Sequence, residues 1–357
     1  MKRLLLSLLF ISCYLSFSVA QTSTSSYQPG VTPEGMVYFL PKTAVRVVVQ
    51  VEKTTYTPGE FCKYADRYLR LKDVASEASV SYRITDLRVE PIAMADTTKG
   101  FSVKFDPKSV AANIALSDDG VLLAVNATPK PADVTPAFRP APKPTMMNPR
   151  QLMSEEILAA GSTAKMAELT AQDIYEIRES RNLLVRGQAD NMPKDGEQLR
   201  LMLHQLDIQD RALTSLFIGT YDKDTIQQVF TIVPSESNYR EVVFRFSEKL
   251  GLVDADDLAG VPYYILIEDL KTVPKPEPVD PKKKQKPVYG IFVNIPGRLR
   301  STVSNAQGFI VANEFPAGQY GNVELLSGAL FNKRYTTRLR LNSLSGAIEH
   351  LDAELPK

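Results

Sequence analysis

The chain has two histidines, two cysteines and no tryptophan in 357 residues. So little imidazole excludes a His-rich metal centre and leaves triad catalysis without its usual base. Lys+Arg number 42 against 41 Asp+Glu, a net charge of +1. That removes the electrostatic case for a nucleic-acid partner. No glycine-rich phosphate loop, Gly-x-Ser-x-Gly elbow or His-Glu-x-x-His helix occurs. Beyond the N-terminus no run approaches the roughly 20 apolar residues of a membrane span. No fixed-period repeat is present, against a solenoid or propeller. The residues call for no cofactor and no metal.

What is present is an ordinary globular composition, 44% hydrophobic and 23% charged, long enough for about two domains. The N-terminus reads as a secretory leader, residues 1–20. Lys2 and Arg3 are its basic start, Leu4 to Phe17 its apolar stretch, and Ser18-Val19-Ala20 a small-x-small cleavage site. Its removal would take the net charge from +1 to −1, since two cations leave. The rival is a lipid anchor on Cys13 after Phe10-Ile11-Ser12, which would shrink the apolar stretch. The expected location is the periplasm or the outer membrane, with peripheral membrane association open. Cleavage after Ala20 leaves Cys62 as the lone cysteine, unable to form an internal disulfide and best read as a small buried hydrophobe.

Residues 21–35 read as a flexible N-terminal segment. Two Pro-rich stretches then divide the chain, a connector at 129–150 and a Pro/Lys-rich loop at 274–287 carrying Lys282-Lys283-Lys284. Between leader and connector, 36–128 reads as a β-rich N-terminal domain. Val45, Val47, Val49 and Val51 alternate as a half-buried strand, Phe61 to Leu69 is a short helix, and Val80 to Val89 and Phe101 to Phe105 are strands. Asp118-Asp119-Gly120 turns a hairpin within 114–125. The region 151–352 reads as a helical hairpin plus a β-rich C-terminal domain. Met166, Leu169, Ile174, Ile177 and Leu184 follow a helical period ending at Gly187; a second helix starts at Asp195 and runs to Gly219. Ile226–Val233 and Tyr239–Phe246 are expected to form a hairpin, and Ser345-Gly346 turns the last one. The fold class is α+β: two β-rich domains with the helical hairpin between them, packed on the second sheet. A continuous sheet shared by both halves is the alternative.

The candidate chemistry is thin. His204 sits on a helix between apolar stripe positions and reads as a satisfied or exposed histidine; His350 sits on the outward face of a terminal strand. Asp254-Ala255-Asp256-Asp257 lacks the spacing of a calcium loop and reads as a turn or a helix cap. Glu176, Arg178, Glu179 and Arg181 make a helical charge network, in which Arg178 and Arg181 are candidate contacts for an anion or partner. Asp96-Thr97-Thr98 and Asp224-Thr225-Ile226 fit a three-residue O-glycosylation signal of exported Bacteroidota proteins, with Thr97 and Thr225 as acceptors.

Several stretches together resemble an exported Bacteroidota family catalogued as domain of unknown function 4831. They are Tyr38-Phe39-Leu40-Pro41-Lys42-Thr43, Tyr56-Thr57-Pro58-Gly59, Tyr64-Ala65-Asp66-Arg67-Tyr68-Leu69, Ala160-Gly161-Ser162 and Ile174-Tyr175-Glu176-Ile177-Arg178-Glu179-Ser180-Arg181. Met192-Pro193-Lys194-Asp195-Gly196, Leu216-Phe217-Ile218-Gly219 and Phe244-Arg245-Phe246-Ser247 complete the set, which spans about residues 30 to 352. The resemblance implies an envelope location and carries over no catalytic residues. It adds Arg245 to the candidate contacts. The expected function is a non-enzymatic envelope protein that binds another protein or assembles with it. A glycan-binding module, resting on the 15 tyrosines, and a carboxylate-based hydrolase are the alternatives.

Overall fold

A computed structural model describes residues 23–28, 35–104, 113–131, 136–143, 147–193, 195–274, 290–331 and 336–354. The leader with Cys13 and Ala20, and the Lys282-Lys283-Lys284 run, lie outside the described residues. Among the described residues the chain is β-rich, with three antiparallel sheets and few helices.

The strands are β1 (Ser23–Ser26), β2 (Met36–Thr57), β3 (Ser79–Lys104), β4 (Ile114–Leu116), β5 (Leu122–Val125), β6 (Thr220–Ile232) and β7 (Asn238–Ser247), followed by β8 (Gly251–Val253), β9 (Val261–Asp269), β10 (Gly290–Asn305), β11 (Gly308–Ser327), β12 (Thr336–Leu341) and β13 (Ile348–Glu354). The α-helices are α1 (Ala65–Leu69), α2 (Glu155–Leu158), α3 (Thr163–Arg186) and α4 (Gly196–Ile218). The first sheet has the order β1-β3-β2-β6, the second β11-β10-β9-β7-β8 and the third β13-β12-β5-β4.

The expected separation into two β-rich domains does not describe these pairings. β6 comes after the Pro-rich connector, yet pairs with β2 from Val45↔Ile232 to Thr57↔Thr220. The third sheet joins β5 of the first half to β12 of the second. The shared-sheet alternative is the one seen. Three further expectations are corrected. Residues 23–26, read as flexible, form β1 against Phe101–Lys104. Val80–Val89 and Phe101–Lys104 are parts of the single strand β3, and Phe105 lies outside the described residues. β6 and β7, expected as a hairpin, belong to different sheets.

Two β cores result. In the first, Val45, Val47, Val49 and Val51 of β2 face Phe244, Ile265, Ile267, Leu299 and Val303 of the second sheet. In the second, Tyr38, Leu40, Phe101 and Val103 meet Leu122, Val125, Leu339 and Leu341 of the third sheet, with Ile291 and Val293 of β10. The long strands serve both cores. The buried positions of β2 change from even (Tyr38, Leu40) to odd (Val45 onward) across Pro41, because a register shift intervenes there.

That shift pushes Asp96–Lys99 out of the β3 ladder, and a matching shift between Ile295 and Gly297 pushes Gly318–Gly321 out of β11. The two bulges meet at a polar waist. Lys99 Nζ donates to the Gly318 carbonyl at 2.9 Å. Gln319 acts as a short stretch of strand: its Oε1 accepts from Thr43 N and its Nε2 donates to Thr43 O. Asn294 Nδ2 donates to the carbonyls of Pro41 and Ser345, tying β10 to β2 and to the β12–β13 turn. Burial draws the Lys99 pKa below the ordinary lysine range, with Asp96 opposing it.

The helical hairpin does not pack on the second sheet. It has a core of its own: Phe61, Ala65 and Leu69 around α1, Met153 and Ile157 around α2, Ala167, Ala171 and Ile174 of α3, and Leu213, Leu216 and Phe217 of α4. No strand residue belongs to it. The physical reason is local. β2 leaves its sheet at Thr57 and β6 enters it at Thr220, directly opposite. The short helix after β2 and the last turns of α4 therefore emerge side by side and bury each other. Phe61 N donates to Leu216 O at 2.7 Å. Gly219 makes the junction possible, since at φ +77° a Cβ there would lie 2.4 Å from Thr57 O.

Candidate functional site

The hairpin is built as its sequence dictates. Ser162 caps α3 by accepting from Lys165 N, Gly187 ends it in the left-handed conformation, and Asp195 caps α4 by accepting from Gln198 N. Its buried side chains are concentrated at one end. In α4 they run only from Ala212 to Phe217, and in α3 only Leu184 is buried beyond Ile174. The first ten residues of α4 (196–205), about 15 Å at 1.5 Å per residue, therefore form with the end of α3 an arm in which Leu184 is the one buried side chain among the described residues. The outer part of this arm exposes Val185, Met192, Leu201 and Met202.

Where the arm meets the helical core, a groove of about 360 Å³ opens between α3, α4 and the segment before α2. Leu152, Ile177, Leu206 and Leu213 supply apolar lining, and Asp173, Glu176, Ser180 and Gln209 supply polar groups. Burial, then the Glu176 and Glu156 carboxylates, push the Asp173 carboxyl above its ordinary range. Among the described residues no cation pairs with Asp173 or Glu176, so the groove combines apolar surface with unpaired carboxyl groups. It suits a cationic group carried on an apolar segment.

The arginines expected as contacts are not in this groove. Arg178 Nε donates to Asp210 Oδ1 at 2.9 Å and its Nη2 to Thr214 Oγ1 at 3.2 Å; Arg181 pairs with Asp207 at 3.1 Å. Each lies one residue beyond a groove residue, Ile177 or Ser180, and so about 100° further round α3. They close the opposite flank of the α3–α4 seam. Arg245 is elsewhere, on β7, where it donates to the carbonyls of Ala255 and Gly260 and holds the turn containing Asp254, Asp256 and Asp257. His204 is exposed on α4 and His350 exposed on β13, in different layers of the fold. Cys62 is free and half-buried in the 3₁₀ turn before α1.

Thr97 is exposed on the β3 bulge, where Asp96 accepts from Thr98 N and Oγ1; Thr225 is half-buried on β6. The exposed aromatic side chains Tyr175 and Tyr221 lie on different elements, α3 and β6. Among the described residues no three His, Cys, Asp or Glu side chains gather as a metal site, and no helix is long and apolar enough to cross a membrane.

Sequence reasoning passed over Asp173. The signal was present: it adjoins the buried stripe position Ile174 and has Leu169, Thr170, Glu176 and Ile177 at the spacings where a helix would place a basic partner.

No curated protein and no solved structure matches the chain. The family model described as a domain of unknown function, DUF4831, matches residues 34–349, and the chain belongs to that family.

Proposed function

We propose that the protein is an exported cell-envelope component of the Bacteroidota that acts by binding another protein, without catalysis. The observation that carries this reading is the helical arm with the Asp173–Glu176 groove at its root. The arm stands on a β scaffold tied together through buried strands, as a rigid base for a docking element requires. The partner's matching feature is a segment with a Lys or Arg among apolar residues, which would neutralise Asp173 and cover Ile177 and Leu206. Arg178 and Arg181 hold the two helices at the spacing the groove needs, and the leader ending at Ala20 delivers the chain outside the cytoplasm.

The test is to crosslink native envelopes, recover the chain by a tag after Lys357, and compare it with the Asp173→Lys/Glu176→Lys variant. A stoichiometric envelope protein that accompanies the native chain and is lost from the variant is expected. Recovery of the native chain alone contradicts the reading.

A second reading is favoured by the same carboxyl. Asp173 and Glu176 line one groove, as the two carboxyl groups of glycoside hydrolysis would, and the raised Asp173 would serve as the acid. Turnover of envelope glycans that disappears in Asp173→Asn would replace binding with catalysis.

A further inference from the structure

An open sheet edge presents a row of unpaired backbone donors and acceptors, and soluble proteins guard such edges with charge, proline, bulges or brevity. The three sheets have six edges, formed by β1, β6, β11, β8, β13 and β4. β1, β8 and β4 are three or four residues long. β11 carries Glu314, Pro316 and Glu324 and the four-residue bulge. β13 carries Glu349, Asp352 and Glu354.

Among the described residues β6 is guarded only at one end, where Lys143 pairs with Asp222 and Asp224. From Thr225 to Val233 it has no charge, no proline and no glycine, and its pairing with β2 runs without a register shift. Among the described residues no backbone hydrogen bond from another segment reaches its outer edge. Apolar side chains are open along it: Ile226 is 50% exposed, Val229 46% and Val233 37%.

We propose that this edge pairs with the same edge of a second copy, antiparallel, about a twofold axis through Val229. A second copy is the occupant the strand itself fits. In this register the uncharged run meets only itself, and Asp222, Lys223 and Asp224 stay outside the paired region. On the face of the first core, Ile226 stands opposite the buried Ile232, and Gln228 opposite Phe230. On the other face Val229 meets Val229, and Gln227 meets Thr231. The exposed half of Ile226 thereby becomes a continuation of the first core, and two four-stranded sheets join into one. The twofold consumes both edges, so the assembly closes at the dimer. The paired stretch Ile226–Ile232 is about 24 Å long at 3.4 Å per residue, a small interface, and the dimer is therefore reversible in the micromolar range.

The test is sedimentation equilibrium of the purified chain from about 1 to 200 μM, with Val229→Lys and Val229→Glu. Val229 projects from the exposed face, so both variants keep the native far-UV dichroism; should either misfold, the double variants Gln227→Lys/Thr231→Lys and Gln227→Glu/Thr231→Glu, whose like charges meet across the same register, serve in their place. The native chain is expected to show a monomer–dimer equilibrium. Each single variant weakens it at least about tenfold, because like charges face each other at the centre, and an equimolar mixture of the two restores it. A native chain that stays monomeric, an open-ended polymer, or variants that dimerise like the native chain would each overturn the proposal. The first of these would leave the edge to a strand from a different protein.

Discussion

Asn294 should be among the most sensitive positions in the chain. It is 2% exposed, and its Nδ2 donates to Pro41 O at 3.0 Å and to Ser345 O at 2.9 Å. Those two carbonyls belong to β2 and to the turn between β12 and β13, so one side chain links all three sheets. Replacing it by Ala removes the donor from two buried acceptors, each worth about 1–3 kcal/mol when left unmet. Removal of Oδ1, which is buried without a hydrogen-bond partner among the described residues, offsets part of this, and the loss should be about 1–3 kcal/mol, a sizeable share of the 5–15 kcal/mol typical of a folded domain. Urea unfolding followed by tyrosine fluorescence and by far-UV dichroism measures it. The midpoint should fall with the slope unchanged, and both signals should move together.

Asn294→Asp sharpens the test. At pH 8 its carboxylate would face two carbonyl oxygens, and the variant should be less stable than Asn294→Ala. Its folded-state pKa is then raised, so the excess loss is present above that pKa and fades as falling pH protonates the group. A change below about 0.5 kcal/mol for Asn294→Ala, or separate transitions for the two signals, would refute the idea that this waist unites the sheets.

Tyr38 is fully buried, and its hydroxyl both donates to Phe292 O and accepts from Phe292 N. Tyr38→Phe should cost about 1–3 kcal/mol by calorimetry, and an unchanged melting temperature would contradict that. Asp173 has a raised carboxyl, so ionisation costs folding stability at neutral pH. Asp173→Asn should therefore melt higher than the native chain at pH 7, with the gain vanishing as pH falls below the ordinary carboxylate range; a gain that grows in acid would reverse the sign of the argument. Gly219 and Gly187 both have positive φ, but a Cβ at Gly219 meets Thr57 O while one at Gly187 meets open space. Gly187→Ala should cost about 1 kcal/mol and Gly219→Ala clearly more, as unfolding midpoints would show.

The helices were legible because their signals are local. Asp195, Gly187 and Gly219 mark the ends that the structure uses. The valine alternation of β2 was legible for the same reason. The topology was not, because strand partners are set by distant chain. Nothing near Ile226 says that its neighbour is Val51 and not a residue of Tyr239–Phe246. The bulges at Asp96–Lys99 and Gly318–Gly321 hid the unity of β3 and the length of β11, since a few polar residues look like a loop in sequence. Arg178, Arg181 and Arg245 drew attention as charges, but each proves to have its partners within the fold. Asp173 shows the converse. Its significance comes from an absent basic neighbour and a surface created by three separated segments.

The central claim is that the groove at the root of the helical arm holds a partner protein. The most direct measurement places a photoreactive amino acid at Ser180 or Gln209, inside the groove, and at Arg83, exposed on β3, in cells that make the chain. One discrete adduct with the same envelope protein is expected from both groove positions, and none from Arg83. No adduct from the groove, or an identical pattern from all three positions, would contradict it.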